Sequence, residues 1–391
     1  MARNAAKTSW KKRIFWRRRE SFLKEIKRPR FLLTLAVLLL LSWKLGHIWI
    51  FDYAGLVGLD AFAQVQPPQA ASFSRIVSIR EEDYEKYFHS QSPLDPRALS
   101  NVIGEILKLH PAVLAVDIDT SYKHFQEMAL PQSNIPIVWA RDASVKDAQL
   151  SPKAILGQKA TTPPYSGFAL FPYSSDWTVR EYPRSFEIEG QRWPSFHWEI
   201  AKAFCQSMTS NKCQTVNKTR DYPGGLVVPV FRSRYMIPVF NLADVLNARS
   251  TPSHDNPLKD KIVFLGGEYS SGDEHPTPFG IKYGVELIAS AVEEELGGGG
   301  QQPLDVVASF ILKAALAFLI AWFHHILRPR YAMIATILFL GSMVLAGSYI
   351  AFRFSGYRAD FLPFLVGIWI EQLYEGSEHA QRHSEEQSRP R

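Results

Sequence analysis

The sequence predicts a mixed α/β domain with a largely parallel sheet, framed by α-helical transmembrane segments, one before and about three after. Three observations predict it. Apolar strands alternate with segments of helical period through the middle of the chain. One apolar run near the N-terminus and three near the C-terminus have spanning or near-spanning length. Between them lie 253 residues, 52–304, with no such run and with length enough for one substantial core.

The first 30 residues form a basic arm holding twelve Lys/Arg against two Glu, a local charge of +10. The whole chain carries +6, so the other 361 residues sum to −4. The charge is therefore local, and the positive-inside rule places the arm in the cytoplasm against anionic lipid. Nucleic-acid binding by the arm, with Trp10, Phe15 and Trp16 among its cations, is the weaker reading. Residues 31–51 form transmembrane helix 1, with Lys44 near its end to snorkel and Trp43, Trp49 and Tyr53 for an aromatic belt. A cleaved leader is the rival, but Ala61-Phe62-Ala63 lies well past the apolar core, so an uncleaved anchor is expected.

Residues 306–324, 331–351 and 357–374 are the later spans, and 375–391 a short polar cytoplasmic tail, too short for a catalytic fold. The basic link Arg328-Pro329-Arg330 should be cytoplasmic. Four spans put both termini inside; three would leave the C-terminus outside. Lys313 reads as a snorkelling lysine before an ion site.

Within 52–304, Gln64 to Ser72 is a proline-bearing linker and Arg75–Ile79 a strand. Asp95 to Leu109 has helical period, with Pro96 in its first turn, and His110-Pro111 ends it. Ala112–Ile118 is a nearly continuous apolar strand, so strand, helix and strand form a β-α-β unit with parallel pairing. Ile135–Ala140 is a third strand. Gly167–Phe171, Thr178–Tyr182 and Ser185–Trp193 read as exposed β segments, the last turning at Glu189-Gly190. Pro194–Phe204 is an amphipathic helix, Leu226–Phe231 a strand and Leu242–Asn247 a short helix. Lys261–Gly267 is a buried strand, Tyr283–Leu296 the last helix and Gly297–Gly300 a linker.

The chemistry-bearing residues are few. Gly266-Gly267 lacks the longer glycine pattern of a phosphate cradle and reads as a tight strand exit. Asp273, Glu274, His275 and Thr277 follow a strand's C-terminal end, where open α/β sheets bind ligands. Asp117 and Asp119 end another apolar strand and would face the same crevice. A ligand site there, built from Asp117, Asp119, Asp273, His275 and Thr277, competes with loop-ordering and capping roles for these residues. Glu286 suits the first turn of the last helix. Arg180 and Arg184 are candidates to pair with these acids. Cys205 and Cys213, on the oxidising side, are either a disulfide or free thiols. Asn217-Lys-Thr219 matches a glycosylation sequon. No Ser/His/Asp, HExxH or P-loop pattern stands out, so no enzyme, metal or cofactor is expected.

Leu258 to Gly267, Asp273, Thr277-Pro278-Phe279-Gly280 and Gly284-Val-Glu286-Leu-Ile-Ala289 together resemble the type-two CHASE domain. Val113–Ile118 with Asp117, Asp176–Pro183 and Asp244–Leu246 extend the resemblance, as does one span before the domain and about three after it. The family-motif positions are Gly266, Gly267, Asp273, Thr277, Pro278, Gly280, Gly284 and Glu286. The resemblance implies an extracytoplasmic sensor domain of a multi-pass bacterial inner-membrane receptor. Relatives carry an output module after the last span; none is seen here, so the implied partner is a separate cytoplasmic effector subunit. Membrane lipid and further copies of the chain are the other partners considered, and nucleic acid is not expected. The alternative is a non-catalytic scaffold subunit of an envelope complex.

Overall fold

The computed structural model describes residues 49–146, 149–158, 165–208, 213, 216, 227–229, 234–247, 256–268, 273–297 and 341–350, with isolated positions at 311, 314, 315, 318, 319, 331, 334 and 338. The chain divides into two compact units, one of them Asp60–Gln302 and the other Met1–Leu59 with Pro303–Arg391. The basic arm, most of each predicted span, the sequon, residues 298–300 of the glycine linker and the tail lie outside the described residues. Among the described residues no helix is long and apolar enough to cross a membrane. Gly341–Ile350, inside the third predicted span, is an apolar helix of 10 residues.

Helix α1, Trp49–Gln64, continues thirteen residues beyond the predicted end of the first span and stops where the polar linker was expected. Its last turn, from Asp60, belongs to the Asp60–Gln302 unit. That unit is built on a six-stranded sheet. Its strands in chain order are β1 (Ser74–Ile79), β2 (Val113–Asp117), β3 (Ile137–Arg141), β4 (Ser166–Phe168), β8 (Val239–Asn241) and β9 (Ile262–Gly267). The order across the sheet is β8-β1-β9-β2-β3-β4, and every pair is parallel. Near-continuous apolar runs are what a parallel sheet covered on both faces requires. Ile76, Val77, Leu114, Ala115, Phe264 and Leu265 are accordingly fully buried.

One face is covered by α2 (Glu81–Phe88), α3 (Pro96–Leu107) and α5 (Leu242–Asn247). Helix α3 starts as the sequence predicts: Asp95 Oδ1 accepts from Arg97 N (3.0 Å), with Pro96 in the first turn. Its apolar stripe, Leu99, Val102, Ile103 and Ile106, packs on Val77, Leu114, Val116 and Leu265. Each such side chain contributes about 1.5–3 kcal/mol when buried. The other face is covered by α4 (Phe196–Ser207) and α6 (Gly284–Leu296), which pack on each other and on the sheet.

The structure differs from the sequence reading in three places. Gly167–Phe171 is not an exposed segment: Ser166–Phe168 is the edge strand β4, with Phe168 buried. Gly167 allows the approach, since a Cβ there would lie 2.4 Å from the Ser195 carbonyl oxygen. Helix α2 was not predicted because EEDYEKYF is short and mostly charged; Tyr84, Tyr87 and Phe88 make its apolar face against the core, while Glu81, Glu82 and Asp83 and the Asp83 bond to Arg80 N secure its start. Two antiparallel pairs were missed, Ala143–Lys146 with Gln149–Pro152, and β10 (Glu274–Thr277) with β11 (Gly280–Tyr283). Outside the central sheet, β5 (Glu181–Pro183) pairs antiparallel with Val227–Pro229, and β6 (Ser185–Ile188) with β7 (Gln191–Pro194). Strands β6 and β7 turn at Glu189-Gly190, both in the left-handed region.

Candidate functional site

The sheet places Asp117 at the C-terminal end of β2, in register with Gly266 at the end of β9. Gly266 is required for close packing rather than for phosphate: a Cβ there would lie 2.8 Å from Val285 Cβ at the start of α6. Asp273, before β10, turns back over the same strand ends. Its Oδ2 accepts from Gly284 N (3.2 Å), the first residue of α6, and a Cβ on Gly284 would collide with that carboxylate at 2.6 Å. Asp273 therefore caps the last helix. Its Oδ1 lies 3.2 Å from His275 Nε2, and His275 Nδ1 is hydrogen-bonded to the Tyr173 hydroxyl at 2.7 Å. The imidazole stacks on Phe171 at 4.3 Å between ring centres.

Asp273 thus stands between His275, which it contacts, and Asp117, whose charge it feels, at the strand ends. Burial, and next the charge of Asp273, push the Asp117 carboxyl well above the ordinary carboxylate range. The buried Tyr182 phenol is pushed up by burial and then by Asp117 and Asp273. Two acids face each other here with aromatic walls, and Trp177, beside Tyr173, is 74% exposed at the rim. The raised pKa favours the protonated form of Asp117.

The other predicted site residues go elsewhere. Asp119 is exposed, accepts from Ser121 N and pairs with Lys153, which also holds Asp142. Thr277 Oγ1 accepts from Phe279 N and donates to Gly280 O (2.5 Å), ordering the β10–β11 turn, where Gly280 takes φ +100°. Glu286 accepts from Tyr283 N and pairs with Lys282, a helix-start role. Pro278 O accepts from Gln64 Nε2 at the end of α1 (3.1 Å). Gly267 pairs in register with Ile79. Cys205 and Cys213 form a disulfide, Cα to Cα 5.4 Å. Among the described residues, no three His, Cys, Asp or Glu side chains converge to hold a metal ion.

Arg180 and Arg184 do not pair with the loop acids. Arg180 Nε and Nη2 grip both oxygens of Asp60 on α1 (2.8 and 2.7 Å), and its Nη1 and Nη2 grip Asp176 (2.6 and 2.7 Å). Burial alone pulls the guanidinium pKa down, but the bonds to Asp60 and Asp176 outweigh it and raise it. Arg184 donates through Nε and Nη2 to the two oxygens of Glu295 near the end of α6 (2.7 and 2.5 Å) and lies over the Trp198 ring. Between the two arginines, Tyr182 is buried and donates to Phe168 O (3.0 Å), while Val179 N donates to Pro276 O (2.9 Å). Residues 176–184 are thus a crossbar. It holds the last turn of α1 at one end and the last turn of α6 at the other.

Sequence reasoning missed Asp60, Glu293 and Glu295. Glu293 accepts from the backbone N–H of Ser72, Phe73 and Ser74 (3.0, 2.7 and 2.5 Å), tying α6 to the start of β1. The available signal was the triple acid Glu293-Glu294-Glu295, all buried, at the end of an apolar helix where cations are the favoured residues.

A family model described as the CHASE2 domain matches residues 32–327 of the chain. No curated protein and no solved structure matches it significantly.

Proposed function

Because this chain belongs to the CHASE2 family of extracellular sensory domains, we propose that it is a sensing subunit of the bacterial inner membrane that passes an extracytoplasmic signal to a separate cytoplasmic effector. The observation that carries this reading is the crossbar. A change at the strand ends moves Tyr182 or Val179, and through Arg180 and Arg184 it bears on the ends of both helices that lead out of the domain. A signal acts here only if it has different affinity for two arrangements of those ends. The cluster of Asp117, Asp273 and His275 is the proposed point of action.

The test is mild-detergent purification of the tagged full chain at native level, with mass spectrometry of what accompanies it. A kinase, cyclase or other effector at near-stoichiometric yield supports the reading. A lone homo-oligomer or a stable complex of envelope proteins, together with an output unchanged in Asp273→Asn, overturns it in favour of a scaffold.

A further inference from the structure

At the foot of the crossbar, His197 is fully buried between two partners. Its Nδ1 lies 3.0 Å from Ser195 Oγ, and its Nε2 lies 3.5 Å from Glu295 Oε1. Ser195 Oγ in turn donates to Arg184 O (3.0 Å). The serine, histidine and glutamate are all sealed from solvent, which excludes a hydrolytic triad.

The proton count at this node does not close for a neutral imidazole. The serine has one proton. If it goes to Arg184 O, then Nδ1 must carry the histidine proton, and a bare Nε2 faces a carboxylate oxygen. If it goes to Nδ1, the histidine proton sits on Nε2 and the serine bond to Arg184 O is lost. A neutral ring fills at most two of the three contacts; an imidazolium fills all three. His197 Nε2 has no hydrogen-bond partner. The oxygen it faces, Oε1, is the one held by Arg184 Nε at 2.7 Å.

We infer that His197 is a proton-operated switch: on acidification its Nε2–H bonds Glu295 Oε1 and loosens that oxygen from Arg184 Nε, so that α4 comes to share with the Arg184 Nη2–Oε2 bond of the crossbar the hold on the end of α6. The neighbours are few. Glu295 faces it from α6, Arg184 from the crossbar, and the Tyr182 ring from β5 at 4.5 Å. On its own helix Glu199 is paired with Lys202. On β3 Arg141 lies over the Phe168 and Trp193 rings, and on β2 Asp117 bears on Tyr182. Burial holds the His197 pKa below 6.5, Glu295 opposes it and Arg184 reinforces it, so the ring is neutral near pH 7 and charges in acid. The switch rests on the sensory reading only for its consequence; the protonation itself needs no ligand and no effector.

The test is an NMR titration of the full chain in detergent, with ¹⁵N-labelled histidine, between about pH 4.5 and 8. The His197→Gln difference spectrum identifies the resonance. Should that variant not fold, Ser195→Ala, which removes the Nδ1 partner and the hydroxyl bond to Arg184 O but leaves the imidazole and Glu295, marks it by a shift. The expected result is a neutral ring at high pH that becomes an imidazolium with a midpoint below 6.5. In Glu295→Gln the midpoint falls by about one unit or more. Hydrogen exchange over residues 284–296, corrected for intrinsic rates, changes with acid in the wild type and not in His197→Gln. A His197 signal that never titrates while the fold persists overturns the inference. So does a midpoint indifferent to Glu295→Gln, or an exchange response identical in both proteins. Effector capture is read separately, so the sensory reading can fail while this one stands.

Discussion

Arg180 and Arg184 sit four residues apart on one segment, and each grips a carboxylate through two nitrogens, yet they stand in different solvents. Arg180 is nearly buried, but its partners Asp60 and Asp176 keep 21% and 22% of their side-chain surface. Arg184 binds Glu295, which has none. The first is a clamp that water can reach and that has a spare acid. The second is a sealed pair with a histidine waiting on the same oxygen. The difference teaches that the hold on α1 is shared between two water-accessible acids, whereas the hold on α6 rests on one sealed carboxylate with a second cation-forming group beside it.

Breaking the sealed pair should have the largest effect. Arg184→Ala leaves Glu295 buried without its cation and is expected to lower stability by about 3–5 kcal/mol in denaturant unfolding of the full chain. Reducing the 205–213 bridge, or Cys205→Ala with Cys213→Ala, closes no 8-residue separation in the unfolded chain and should cost ~2–3 kcal/mol. The clamp on α1 should yield less than Arg184 does. Asp60→Asn is expected to cost about 1–2 kcal/mol, since Asp176 still neutralises Arg180, and a double-mutant cycle with Asp176→Asn should show strong coupling. A stability loss in Asp60→Asn equal to that of Arg184→Ala would erase the contrast.

The two regions also differ in the sign of their pH response. The folded pKa of Asp117 is raised above 3.8, so the native state binds this proton more tightly than the unfolded chain. Its contribution is fully present below pH 3.8 and is lost as pH rises through the raised folded value. Asp117→Asn is therefore expected to be more stable than wild type at neutral pH, with the advantage vanishing in acid. His197 behaves oppositely. Its folded pKa lies below 6.5, so stability falls as pH drops beneath 6.5 toward the folded value, and His197→Gln removes that slope. Unfolding midpoints of the three proteins across this range check both signs. At the small end, Lys153→Ala, a partly exposed pair, should cost less than about 1 kcal/mol.

The central sheet was legible in the sequence because buried parallel strands are uniformly apolar: Val113–Asp117 and Ile262–Gly267 announce themselves without any partner in view. So were α3 and α6, whose stripes and starts are local. Helix α2 was not, because Tyr84, Tyr87 and Phe88 on its core face are too short a run, among five charged residues, to establish a period. At the site, sequence order put Asp273 and His275 on one loop after a strand, and the family motif marked Gly266, Gly284 and Glu286. Composition could not say that Asp119 would turn to Lys153 while Asp117 stayed by Asp273: strand period puts i and i+2 on one face, but the strand ends at Asp117, so Asp119 lies in the loop, where only the packing sets its direction.

By itself, the sequence determined the fold class, the family, the local caps and the apolar faces, since these depend on neighbours a few residues apart. Only the tertiary structure decided the partners of the charges. Asp60 and Arg180 are 120 residues apart, and Arg184 and Glu295 are 111 apart. An ion pair is a contact in space with no period along the chain, so nothing in the spacing of these residues foretells it. The crossbar, and the histidine beside it, exist only once the fold has brought Asp60 and Glu295 to the segment 176–184.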